Sequence, residues 1–129
     1  MVPYKSIIHG GLQSGRVIII QGVISHSAKR IELNLHHKTG IAFYYSPRFD
    51  ENEVVCKIYE NGEWCNKKHF KDMPFELGKH FLVIISCTQN HYEVFVNGKQ
   101  AHTYKHHTKL EDIDVLEISG DVQLSFVQD

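Results

Sequence analysis

The chain has 129 residues, with 14 Lys and Arg against 15 Asp and Glu, ten histidines and a formal charge of −1 at pH 7. That length suits one domain, residues 1–129, with a core that needs no metal or disulfide staple. Balanced charge excludes a general basic face for nucleic acid or an anionic membrane, and no apolar run approaches the roughly 18 residues of a membrane span.

The opening Met1-Val2-Pro3-Tyr4-Lys5-Ser6 lacks the basic and apolar regions of a secretory signal, so none is expected. Ile and Val outnumber Leu and Ala by more than two to one, which favours sheet over helix. Alternating or apolar runs predict strands at residues 4–9, 16–25, 30–36, 41–46, 53–60, 63–70, 80–87, 91–96, 100–105, 115–119 and 122–126. His9-Gly10-Gly11 and Leu77-Gly78 break the pattern, while Asn61-Gly62 and Asn97-Gly98 signal tight hairpins that need positive φ. Only residues 109–113 read as briefly helical. About eleven short strands in one domain suggest an all-β sandwich of two antiparallel sheets.

Alternation assigns faces. In Ile41-Ala42-Phe43-Tyr44-Tyr45-Ser46-Pro47-Arg48, residues Tyr44, Ser46 and Arg48 point one way, and Phe43 and Tyr45 the other. Val55, Lys57 and Tyr59 share a face in the next strand. The third carries Trp64, Lys67 and His69. If the three are neighbours, Tyr44, Ser46, Arg48, Lys57, Trp64, Lys67 and His69 form one polar-aromatic patch.

These blocks resemble the galectin family. Gly10-Gly11-Leu12 with Gly15, then Ile20-Gln21-Gly22-Val23, is similar to the opening strands of galectin domains, most closely those of the tandem-repeat type. The segment from Ile41 to Phe49 resembles the family's I-A-F-H-F-N-P-R-F, and Val54-Val55-Cys56-Lys57 its V-V-C-N. Asn61-Gly62-Glu63-Trp64, Met73-Pro74-Phe75, Phe95-Val96-Asn97-Gly98 and Ile118-Ser119-Gly120-Asp121-Val122 resemble further framework blocks. The resemblance implies a jelly-roll sandwich of five- and six-stranded sheets, with no metal, no cofactor and no catalysis. It implies binding of glycans or glycoproteins, no nucleic-acid ligand and no membrane insertion, and it admits a homodimer. It also implies a cytoplasmic protein of the kind exported by a non-classical route.

The sugar-reading positions depart from the family. Its His and Asn are Tyr44 and Ser46 here, its Arg is Arg48, and its Asn on the next strand is Lys57. Its tryptophan is Trp64, followed by Lys67 where the family has Glu and His69 where it has Arg. Composition alone would place a lone Trp in the core. The resemblance instead sets Trp64 against the apolar face of a galactose ring. Tyr44 is bulky and Ser46 short, so hydroxyls lose their reading partners and lactose recognition is expected to weaken or vanish. Arg48, Lys57, Lys67 and His69, with no carboxylate expected on the patch, make a sulfated or sialylated glycan the sharper expectation. The alternative is a galectin-related structural or protein-interaction module that has lost sugar binding.

Other constellations carry less. His36-His37 and His106-His107 cannot chelate one ion through adjacent strand side chains, which face opposite ways. Cys56, Cys65 and Cys87 are an odd number without metal spacing. Buried free thiols suit them, although Cys56 and Cys65, flanking one turn, could also oxidise or link two chains. No opposed carboxylates and no nucleophile with a base are legible.

Overall fold

In a computed structural model describing residues 2–129, the strands run in chain order as β1 (Tyr4–Ile7), β2 (Val17–Ile24), β3 (Ile31–His37), β4 (Gly40–Arg48), β5 (Glu53–Glu60) and β6 (Glu63–Phe70), then β7 (His80–Cys87), β8 (His91–Val96), β9 (Lys99–Lys105), β10 (Val115–Gly120) and β11 (Val122–Gln128). A single 3-10 turn, Leu110–Asp112, is the helical element among the described residues. The strands form a six-stranded sheet ordered β1-β10-β3-β4-β5-β6 and a five-stranded sheet ordered β11-β2-β7-β8-β9. Every pairing is antiparallel. The expected all-β sandwich of six and five strands is what the chain builds, and each predicted strand lies within a residue or two of its place.

Alternation drives this arrangement. β2 buries Ile18, Ile20, Gly22 and Ile24, and β7 buries Phe81, Val83, Ile85 and Cys87, so one face of the five-stranded sheet is apolar. Leu33, Leu35, Phe43, Tyr45, Leu116 and Ile118 answer from the six-stranded sheet. Phe43 stacks on Tyr92 across the sandwich, with ring centroids 4.2 Å apart and planes within 15°. Burying an aromatic side chain of this kind is worth about 1.5–3 kcal/mol. Asn61-Gly62 and Asn97-Gly98 turn their hairpins with both residues at positive φ, as a type I′ turn requires. Gly11 has a further reason to lack a side chain: a Cβ there would sit 2.3 Å from the Glu111 carbonyl oxygen.

The core holds one polar chain. Tyr45 has no exposed surface, and its hydroxyl lies 2.9 Å from His102 Nδ1. His102 Nε2 lies 3.2 Å from both carboxylate oxygens of Asp72. Neutral His102 satisfies the chain if Nε2–H donates to Asp72 and Nδ1 accepts from Tyr45. Burial lowers the pKa of His102 from its ordinary value, and Asp72 opposes without reversing this. Burial lowers that of His106 as well. With folded values below the unfolded value of about 6.5, the unfolded chain binds more protons as pH falls. This stability is full above about pH 6.5 and is lost as pH drops through the folded values. The urea midpoint is therefore expected to fall between about pH 7.5 and 5.5, and to fall less in a Tyr45→Phe/His102→Leu variant. A midpoint flat across that interval would contradict the assignment.

Cys56 and Cys87 are buried free thiols, Cys65 is half-buried and free, and burial pushes the Cys87 thiol up to about 11. Burial raises the Cys56 thiol further still. Neither is poised as a nucleophile.

Candidate functional site

The outer face of the six-stranded sheet carries the candidate residues because β4, β5 and β6 are consecutive hairpin strands. Register aligns Asn34, Tyr44 and Lys57 in one row, with Glu117 opposite Asn34. Ser46, Val55 and His69 form the next row, and Arg48 lies opposite Glu53. Strict alternation would put Trp64 and Lys67 on opposite faces. A bulge resolves this: Cys56 pairs with Lys68 and Ile58 with Cys65, so Asn66 and Lys67 together face Lys57. Asn66 takes φ 55° to make it.

Trp64 is 46% exposed on this edge strand, not folded into the core. Tyr44 and Tyr59 meet it edge-on, with centroids 5.2 and 5.0 Å away. The Lys57 ammonium sits 4.2 Å over the indole and 4.9 Å over the Tyr44 ring. Such a cation–π contact at a partly exposed site contributes about 0.5–1 kcal/mol, small enough for a ligand to displace. Burial lowers the Lys57 pKa from its ordinary value, helped by Arg48 and Lys67 and opposed by Glu32.

Arg48 is only 7% exposed and already engaged. Its Nη2 donates to the Tyr44 hydroxyl at 3.3 Å, and its Nη1 lies 3.7 Å from Glu51. The Tyr44 hydroxyl in turn donates to Glu32 at 2.7 Å. Ser46 is fully buried and donates to the Ile31 carbonyl at 2.8 Å, so its hydroxyl is turned into the sheet. His69 Nδ1 lies 2.7 Å from Glu53, and Lys71 Nζ donates to the same carboxylate at 2.8 Å. The Lys71 bond first, then the His69 bond, hold the Glu53 carboxyl down at about 2.

The expectation of a patch without a carboxylate is therefore corrected. Glu32, Glu51 and Glu53 come from β3, the β4–β5 turn and the start of β5, and they take up Tyr44, Arg48 and His69. Period-two reading of residues 30–36 could have found Glu32, together with Asn34 beside Tyr44. Among the described residues, no carboxylate lies within ion-pair distance of Lys57 or Lys67. Two buried polar atoms on this face, Arg48 Nε and Asn34 Oδ1, have no protein partner. The arrangement offers an indole for stacking, the Lys57 ammonium over it, Lys67 three residues further along β6 and unfilled hydrogen-bonding capacity beneath.

Comparison with known proteins is consistent across the chain. The family model of the galactoside-binding lectins matches residues 3–128. A 32 kDa beta-galactoside-binding lectin of Caenorhabditis elegans is 38% identical over 128 residues, covering 98% of this chain and 46% of that protein. Galectin-4 of Rattus norvegicus is 34% identical over 131 residues, covering 98% of this chain and 40% of that protein. For galectin-3 of Cricetulus longicaudatus the identity is 35% over 128 residues, covering 96% and 52%. The chain spans about half the length of the curated relatives it matches.

Proposed function

Because the chain belongs to the galactoside-binding lectin family, we propose that its groove is a glycan site altered to favour sulfated or sialylated galactosides, with lactose binding weakened or lost. The family is one of lectins, not enzymes. The observation that carries the reading is an exposed Trp64 with the Lys57 ammonium over its indole and a second lysine without an ion-pair partner among the described residues, Lys67, three residues along the same strand. A sugar's apolar face would lie on the indole once Lys57 swings off it. The displaced ammonium, with Lys67, would then meet a sulfate or carboxylate on the same ligand through charge-assisted hydrogen bonds. Arg48, held by Tyr44 and Glu51, contributes less than its family counterpart position suggests.

A glycan array of neutral, sialylated and sulfated galactosides, run at low and physiological salt, tests this. Signal is expected on the anionic probes, falling as salt rises because charge pairing on a partly exposed face is screened. An array silent on every anionic probe would remove the reading. It would favour the second one, a protein-interaction module without sugar binding, for which Tyr44 capping Arg48 and Lys57 covering Trp64 already speak.

A further inference from the structure

We propose that the open edge between β6 and β9 holds a second anion site, joined to the groove by Lys67, so that the chain takes a linear glycan bearing several sulfate groups. The proposal rests on the groove reading and extends it along the same ligand.

β6 ends one sheet and β9 ends the other, and the two edges meet on one side of the sandwich. The Tyr104 hydroxyl ties them, donating to the Asn66 carbonyl at 2.7 Å. Over that tie opens a cleft of about 280 Å³ lined by Asn66, Lys67, Lys68, Tyr104, Lys105 and His107. This is close to the size at which small-ligand clefts begin, roughly 300 Å³. His107 packs edge-on against the Tyr104 ring at 5.4 Å, and Lys68 Nζ lies 5.0 Å over Phe70.

Charge is what singles the cleft out. No acidic side chain lines it, and among the described residues none of Lys67, Lys68 and Lys105 has a carboxylate within ion-pair distance. Asp72, the acid that reaches His102 on β9, is engaged with that imidazole at 3.2 Å. Three ammonium groups around one concavity form a positive well that an oxyanion would relieve. Lys67 lies three residues along β6 from Trp64, past the bulge at Asn66, and lines the cleft itself. A ligand stacked on the indole can therefore reach the cleft only if it is extended and carries charge at more than one point. The large exposed aromatic on this face is Trp64, with Tyr104 buried beneath the cleft, which fits a saccharide better than a run of stacked bases.

The test uses the full chain and a size-defined heparin hexasaccharide, with equilibrium affinity measured at about 50 and 150 mM salt. Lys68→Gln/Lys105→Gln is expected to weaken hexasaccharide binding about tenfold and to flatten its salt dependence by about one and a half units of slope. The change in Trp64 fluorescence caused by a monosulfated lactose should stay as in the wild type, since neither lysine lies in the groove. Titration of the wild-type chain with inorganic sulfate should shift the backbone amides of Lys68, Lys105 and His107, a readout independent of how well the variant folds. Silent amides, an unchanged hexasaccharide affinity in the variant, or equal competition by a single-stranded oligonucleotide of matched charge would overturn the edge site. Were the monosulfated lactose to leave Trp64 silent while the edge amides still shifted, the groove reading alone would fall.

Discussion

Trp64→Ala is expected to lower affinity for the anionic glycan by about 30-fold or more, while leaving the thermal midpoint within a few degrees of wild type. Central aromatic anchors of binding sites commonly cost about 2 kcal/mol or more on truncation, and each 1.4 kcal/mol is tenfold. Trp64 has the attributes of such an anchor: it is exposed, braced edge-on by Tyr44 and Tyr59, and covered by nothing but the displaceable Lys57 ammonium. Its removal opens no core cavity, because the side chain lies on the outer face of edge strand β6. Calorimetry on the best probe of the array measures the loss, and circular dichroism on heating checks the fold. Retained affinity in Trp64→Ala would place the ligand away from this groove.

Lactose binding is expected to stay weak in Lys57→Asn/Lys67→Glu, and to rise about tenfold or more only when Tyr44→His and Ser46→Asn are added. The hydrogen-bond network sets this order. Restoring an amide and an acid on β5 and β6 leaves Arg48 where it is, donating to the Tyr44 hydroxyl and facing Glu51. It also leaves Ser46 bonded to the Ile31 carbonyl, with no hydroxyl presented to a sugar. Tyr44→His removes the phenol that Arg48 and Glu32 share and frees a guanidinium edge for a sugar hydroxyl. Ser46→Asn extends a polar group from a fully buried position toward the groove. Polar partners of this kind decide recognition by orders of magnitude when they are missing. Lactose titrations of both variants measure it. A large gain in the two-lysine variant alone would mean that charge, and not the Tyr44 plug, is the obstacle.

The fold was legible because its causes are local. Alternation in β2 and β7, and the two Asn-Gly turns, are written into neighbouring residues, and consecutive hairpins make β4, β5 and β6 adjacent without further information. The candidate residues share a face for the same reason. What spacing could not show is how long side chains reach across that face. The Glu32–Tyr44–Arg48 chain joins β3 to the middle and the last residue of β4, and Glu53 meets His69 and Lys71, two residues apart. Such pairings depend on register and rotamer, so a patch that reads as uniformly basic is partly neutralised. The Asn66 bulge was hidden likewise, since a left-handed Asn within a strand leaves no mark in an alternation pattern.

The most direct measurement is fluorescence of Trp64, the chain's single tryptophan, during titration with lactose and with a monosulfated lactose at about 50 and 150 mM salt. A saturable change with the sulfated sugar, at least tenfold tighter than with lactose and weaker at the higher salt, is the expected result. Equal affinity for the two sugars, or a response indifferent to salt, would contradict a groove governed by Lys57 and Lys67.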